Sequence, residues 1–358
     1  MGIEVTPPKT VPYFSICIPQ FNRTEFLIAA CHSYAEQTFR DFEICISDDC
    51  STDGMSERLR EFLSTSGMRY VYSRTTSNLR YDGNLRAAIG LSAGKYLLLM
   101  GNDDALRTPD VLAQLHHDLE AFGDIAAAIA NYHELSTNRT FHRMAKTQVL
   151  GSGADVAIAT FRSYSFVSGV ILRGEEARAE VTNELDGSEM YQMYLGTRLV
   201  ARGGRFLAIE RVCIDKDLQI PGQDVDSYRG KPRIWPCPIV RRPLPMGRLL
   251  EVIAFSLRPC VAKEELDRQL FRVGRDLYTY TYPFWGIEYR RVQSWPFALG
   301  VLLPLNPAAV TAKFPLSSRR RLMLWPIYIA SCAIALLTPL KLFDWLRPML
   351  YSLAKRSG

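Results

Sequence analysis

The run Tyr96-Leu97-Leu98-Leu99-Met100 passes without a break into Gly101-Asn102-Asp103-Asp104. Five apolar or aromatic residues in succession read as a strand covered on both faces, as inside a parallel sheet. The abrupt ending puts Asp103 and Asp104 at the carboxyl edge of that sheet, where open α/β folds take ligands. Adjacent carboxylates repel unless a cation or hydrogen bonds neutralise them. A divalent metal holding a phosphate would do this, and so would a solvated turn. The neighbouring strand ends decide between the two.

Those neighbours repeat one pattern. Tyr13–Ile18 reads as a strand stopped by Pro19, and Thr24 as the N-cap of a helix to about Gln37. A second strand, Phe42–Ser47, runs into Asp48-Asp49-Cys50-Ser51-Thr52-Asp53-Gly54, and a helix follows around Ser56–Leu63. Arg69–Ser73 is a third strand; Asp82 can cap a helix through Leu91 that Gly94 closes. After the strand at Tyr96, Thr108-Pro109 opens a helix to about Phe122, and Ile125–Ala130 is a fifth strand. Such β-α alternation means a mostly parallel sheet with helices on both faces, whose polar strand ends can converge on one ligand. Neither GxGxxG nor GxxxxGK[ST] follows the first strand, which argues against a dinucleotide-binding domain and a P-loop NTPase.

Beyond residue 131 the pattern loosens. Phe166–Arg173 and Arg205–Ile209 read as strands, and Glu184–Glu189 as a turn leading into a helix through Ala201. Pro221–Pro245, rich in proline and arginine, makes a junction. Amphipathic helices follow at about Met246–Leu257 and Lys263–Thr281, then the uncharged stretch Trp295–Ala312. From Lys231 onward there are 20 Lys and Arg against 7 Asp and Glu, and before it 23 against 30. A basic tail on an acidic front calls for an anionic partner surface. Leu322–Leu340 carries no charge, follows Arg319-Arg320-Arg321 and holds Trp325 and Tyr328. It is short for a span and interrupted by Pro326 and Pro339. Its flanks favour membrane contact over a core helix, whether spanning, re-entrant or interfacial. The eight cysteines show no CxxC pair, which disfavours zinc and fits a reducing compartment. Met1–Val11 lacks the apolar core of a signal peptide, so the chain is expected to start in the cytoplasm.

With these motifs in hand, the first 130 residues resemble the family 2 glycosyltransferases, which share the GT-A fold. Ser15-Ile16-Cys17-Ile18-Pro19-Gln20-Phe21-Asn22-Arg23 is similar to the family's opening motif. Asp48–Gly54 is similar to its Asp-Asp-x-Ser-Thr-Asp-Gly, Asn78–Gly94 follows its Asn/Gly spacing, and Gly101–Asp104 occupies its DXD position. The opening, with glycine before the acidic pair, also resembles an abequosyltransferase-like subgroup that transfers deoxy sugars in bacterial surface polysaccharide assembly. The likeness covers Pro12 to about Asn131 well and Phe166–Ile209 loosely.

The resemblance implies a GT-A domain over residues 1–225, with a nucleotide-sugar-binding half at 12–131 and an acceptor half at 132–225. A basic, helical, membrane-associated region would follow at 226–358. Pro19, Phe21, Asn22 and Arg23 would line the nucleotide pocket, with Phe21 near the base and Asp49 or Asp48 accepting from the base edge. Arg80 or Arg86 would reach the diphosphate, and Asn102 would stand beside it. Asp103 and Asp104 would hold Mg²⁺ or Mn²⁺, although Gly101 replaces the usual first carboxylate of the motif. An inverting displacement needs one general base, for which Asp186 and Glu189 both stand at the expected helix start. The implied partners are a nucleotide-sugar donor, a polyprenyl-diphosphate-linked or other glycan acceptor, and an anionic membrane surface rather than nucleic acid. The implied location is the cytoplasmic face of the cell membrane. A nucleotidyltransferase would need a Gly-rich basic loop after the first strand, which Pro19–Arg23 is not. A binding module without activity finds its motive in Gly101.

Overall fold

The computed structural model describes residues 4–5, 10–223, 245–314 and 316–355. In chain order, the first half comprises β1 (Glu4–Val5), β2 (Phe14–Gln20), α1 (Thr24–Ala35), β3 (Phe42–Asp48), α2 (Ser56–Thr65) and β4 (Tyr70–Arg74). Next come α3 (Arg80–Gly90), β5 (Tyr96–Leu99), β6 (Ala105–Leu106), α4 (Val111–Phe122), β7 (Ile125–Glu134), β8 (Arg139–Phe141) and β9 (Gln148–Gly151). Then follow α5 (Ala154–Thr160), β10 (Val170–Arg173), α6 (Gly174–Ala179), α7 (Tyr191–Ala201) and β11 (Arg205–Lys216).

The strands form one sheet in the order β1-β4-β3-β2-β5-β10-β7-β11-β6, with β8 on β7 and β9 on β11. Alternation along the strands divides their side chains between two apolar cores. Ile16, Ile18, Ile44, Ile46 and Leu98 face one core, and Cys17, Cys45, Leu97 and Leu99 face the other. Both faces are therefore buried, as the unbroken apolar runs require. The described cysteines are free thiols.

Several expectations are corrected. The sheet is mixed: it is parallel from β4 to β5 and again between β7 and β11, while β10 runs antiparallel between β5 and β7. Pro19 does not stop the first strand. β5 ends opposite Cys17, so beyond it β2 has a neighbour on one side only, where a residue without N–H is tolerated. Thr24 is the first helical residue, not the cap, and its N–H and hydroxyl both donate to Asp53 (3.0 and 2.6 Å). Helix α3 starts two residues before Asp82 and ends at Gly90. Gly94 instead packs against Ser15, whose backbone N a Cβ there would approach to 2.7 Å. Helix α4 begins after Asp110, not at Pro109. Strand β10 starts at Val170, because the carbonyls of Phe166 and Ser168 are taken by Arg143. Strands β7 and β11 both run on, pairing in parallel as far as Glu134 and Lys216.

From Pro245 the described chain is helical: α8 (Leu249–Leu257), α9 (Lys263–Asp276), α10 (Tyr282–Val292), α11 (Trp295–Leu302), α12 (Pro307–Val310), α13 (Ser318–Leu337) and α14 (Leu340–Lys355). Most of the junction read at Pro221–Pro245 falls in 224–244, outside the described residues. Helix α8 lies on α7, where the Arg198 guanidinium donates to the carbonyls of Phe255 and Ser256 and pairs with Glu180 at 2.8 Å. The apolar segment near the C-terminus is a helix from Ser318 to Leu337, shifted towards the N-terminus from the expected 322–340. It takes in Arg319–Arg321, holds Pro326 inside and stops before Pro339.

Candidate active site

Three loops meet at the carboxyl ends of β2, β3 and β5, and they are tied to one another by side chains. The Asn22 N–H donates to Ser51 Oγ (2.8 Å), and Thr52 N–H returns a bond to Asn22 Oδ1 (2.7 Å). Asn22 and Arg23 are both left-handed, which turns the chain sharply after β2 and leaves the Phe21 ring 43% exposed at the edge. Asn102 donates to Gln20 Oε1 at 2.8 Å, and Asn84 on α3 donates to the Gln20 carbonyl at 2.9 Å. Gln20 thus joins the first loop to the acidic stretch and to α3.

The Asp48 and Asp49 carboxylates are buried and occupied. Asp48 accepts from Ser51 N–H (2.8 Å) and the Tyr72 hydroxyl (2.7 Å). Asp49 accepts from the N–H groups of Leu79 (2.6 Å) and Arg80 (3.0 Å), so it, and not Asp82, holds the start of α3. Arg80 is exposed and left-handed, with no side-chain partner among the described residues.

The acidic stretch meets an unforeseen partner. Asp103, Asp104 and Asp217 each offer an oxygen within 4.8 Å of the others. Asp217 arrives because β11 runs past Ile209 and pairs with β6, immediately after Asp104. Asp104 is buried, accepting from the Ser168 hydroxyl (2.5 Å) and Asp217 N–H (3.1 Å). Asp103 is half-buried, with Arg23 at 3.2 Å, and Lys216 lies 2.8 Å from Asp217. Burial and the adjacent Asp103 charge push the Asp104 carboxyl up to about 8. Burial also raises Asp103, with Arg23 pulling it down and Asp217 pushing it up. Three crowded carboxylates, partly desolvated, are relieved either by a retained proton or by a cation that takes its place.

Gly101 has a physical reason in this cluster. A Cβ at residue 101 would lie 2.8 Å from Asp104 Oδ2 and 3.1 Å from Asp103 Oδ1, so a side chain would displace the two carboxylates. The third carboxylate comes from Asp217 instead. Behind the cluster, the buried Arg143 guanidinium donates to the carbonyls of Ala130, Ser163, Phe166 and Ser168, among them Phe166 at 3.0 Å and Ser168 at 2.8 Å. This fixes the loop that presents Ser168 to Asp104. Burial draws Arg143 down to about 10, leaving it charged at neutral pH.

Asp186 and Glu189 lie in the turn before α7 and differ sharply. Asp186 forms a two-pronged ion pair with Arg86, whose Nη2 is 2.9 Å from Oδ2, so Arg86 is committed away from the acidic cluster. Asp82, buried on α3, accepts from the N–H groups of Glu189 (2.8 Å) and Tyr191 (3.2 Å). Burial raises Asp82, against the pull of these N–H groups. Glu189 is left-handed and exposed, its backbone fixed by Asp82.

Asp217, Ser168, Arg143, Gln20 and Asn84 were not foreseen. Asp217 carries a legible signal, since Asp215-Lys216-Asp217 is one more acidic strand end. Arg143 has none, because nothing in its neighbourhood marks it as buried.

Residues 15–180 match the family model for glycosyl transferase family 2. The chain is 39% identical over 113 residues to abequosyltransferase RfbV of Salmonella typhimurium. That match covers 31% of this chain and 34% of RfbV, about a third of the relative's length. Over 94% of its length the fold is similar to residues 1–349 of TarS from S. aureus in complex with UDP-GlcNAc, at a TM-score of 0.61, 15% identity and 91% coverage of that chain. It is also similar to the mannosyltransferase PcManGT of Pyrobaculum calidifontis in complex with GDP-Man and Mn²⁺. There the TM-score is 0.50 and the identity 17%, with 99% and 89% of the two chains covered. The loops that gather at the carboxyl edge all fall inside the matched segment, except for Asp186, Glu189 and Asp217, and it is through that segment, rather less than half of the chain, that the protein is similar to glycosyl transferase family 2.

Proposed function

We propose that this protein is an inverting glycosyltransferase that moves a sugar from a nucleotide-activated donor to a lipid-linked or other glycan acceptor. The process served is bacterial surface polysaccharide synthesis, at the cytoplasmic face of the membrane. The convergence of Asp103, Asp104 and Asp217 beside Arg23 carries the proposal. Three carboxylate oxygens within 4.8 Å of one another suit a hard divalent cation such as Mg²⁺ or Mn²⁺. Such an ion, when bound, supplies Lewis-acid stabilisation of the leaving nucleoside diphosphate. Arg23 adds a fixed positive charge on the same side, and exposed Arg80 is free to turn towards the diphosphate, whereas Arg86 is held by Asp186. The exposed Phe21 ring offers a stacking face for the base. Asp48 and Asp49 shape the pocket floor through their bonds to Ser51, Leu79 and Arg80.

Of the two acids before α7, Glu189 suits the general base: it stands on an exposed turn whose backbone Asp82 holds at the start of α7, and Asp186 is tied to Arg86. The base takes the acceptor hydroxyl proton as that oxygen attacks the anomeric carbon. The case for a module without activity weakens, since Asp217 brings a third carboxylate to the cluster.

The test is a panel of nucleotide sugars with and without Mn²⁺, scored by thermal stabilisation and donor hydrolysis. One donor should stabilise the protein in a metal-dependent way, and Asp217→Asn and Asp103→Ala should each weaken that response at least about tenfold. If no donor stabilises it, or both variants respond like the parent, the proposal fails.

A further inference from the structure

Resting on the membrane attachment proposed above, we infer that α13 lies in the plane of the bilayer surface and does not cross it, docking the protein on anionic lipid through its outer apolar face. At 100° per residue, exposed Leu322, Met323, Ile329, Ile334 and Leu337 fall within one arc of about 140°. Buried Leu324, Tyr328, Ser331 and Ala335 occupy the opposite side. Helix α13 is thus apolar on both sides, with only one covered by protein. Its most hydrophobic window is 22% buried, too little for a core helix.

Both ends of α13 are fastened to polar helices that cannot follow it into hydrocarbon. Near the N-terminus, Arg320 pairs with Asp267 of α9, and Ser317 N–H donates to the same carboxylate at 2.7 Å. In the middle, the Tyr328 hydroxyl donates to the Leu302 carbonyl at 3.3 Å. At the C-terminal end, Arg290 of α10 donates to the carbonyls of Leu336 and Thr338, and Trp295 Nε1 donates to Leu336 at 3.2 Å. A spanning orientation would break these bonds or draw Arg290 and Asp267 into the bilayer, where charge is strongly disfavoured. Lying flat breaks none of them.

Charge and aromatics select the occupant. Arg319 is exposed at the start of the apolar arc, and Lys341 and Arg347 are exposed on α14. Leu342, Trp345 and Met349 make a further exposed stripe there, with Trp345 77% exposed. Trp285 and Trp295 are exposed on α10 and α11, and Trp295 is joined to α13 through the Leu336 carbonyl. Basic residues bordering an apolar strip with tryptophans suit an anionic lipid surface. A second copy of the same face would set like charges against each other.

The test uses the full chain without donor or metal, mixed with vesicles of phosphatidylcholine alone or with phosphatidylglycerol, and sedimented. Binding should require the anionic lipid and weaken with salt. Ile329→Ser with Ile334→Ser should lower the vesicle partition at least about tenfold and leave the melting temperature unchanged. Cysteines placed at Ser318 and Pro339 should both react with an impermeant maleimide from the side of addition. Protection of either one shows a spanning helix and overturns the inference. So does binding indifferent to lipid charge or to the double substitution. Because no donor is present, failure here leaves the proposed transfer reaction standing, and failure of transfer leaves the docking surface standing.

Discussion

Acidic side chains collect at two places near the ends of α3 and β11, and the protein treats them in opposite ways. At the junction of α3 and α7, Asp186 is matched by Arg86, and Asp82 spends its oxygens on the N–H groups that open α7. At the cluster, Asp103, Asp104 and Asp217 face one another with Arg23 and Lys216 at the margin, and Asp104 is pushed up to about 8 by burial and its neighbour. A junction whose charges are internally matched is architecture; one where three carboxylates crowd together is prepared for a ligand. Glu189 at the first place is exposed, on a turn whose backbone Asp82 holds.

The comparison is sharpest at Glu189. Replacement by Gln should reduce sugar transfer by about 10²–10⁴-fold, the range for loss of a general base, with the melting temperature and donor binding unchanged. Loss of donor binding alongside would move Glu189 from base to structural support. Next in size, Arg143→Met leaves several buried carbonyls without a donor and should cost about 3 kcal/mol in denaturant unfolding. It should also loosen metal binding through Ser168, and an unaltered unfolding curve would contradict the clamp.

A pH series probes the cluster itself. Folded Asp104 keeps its proton up to about pH 8, whereas an unfolded Asp releases it near about 3.9. The folded chain therefore binds more protons in between, so metal-free stability should fall as pH rises through that window and level off above it. Stabilisation by Mn²⁺ should grow over the same interval, as the proton competing for the oxygens leaves. Asp104→Asn should flatten both trends. The smallest effect belongs to Asp186→Asn: its partly exposed pair with Arg86 should contribute about 0–1 kcal/mol, without change in metal response. A large metal effect there would erase the distinction between the two places.

Much of this was readable from the order of residues. Unbroken apolar runs such as Leu97–Leu99 and Ile44–Ile46 can be satisfied only by a sheet covered on both faces, and the polar residues after them must then lie at its edge. That reasoning placed Asp103, Asp104, Asp49 and Arg23 at one edge of the sheet. It did not extend to Asp48 and Asp49 being spent on internal bonds, or to Arg86 and Asp186 consuming each other across 100 residues. Such pairings depend on loops whose closure is not encoded in any local period.

What the sequence determined alone is the α/β framework and its acidic strand ends, because periodicity and burial act over neighbouring residues. Tertiary structure alone decided the antiparallel β10 between β5 and β7, the arrival of Asp217 beside Asp104, and the placement of Arg143 behind Ser168. It also decided which face of α13 the protein covers. Each of these joins segments distant in the chain, and their selection rests on long-range packing and charge balance that no local pattern carries.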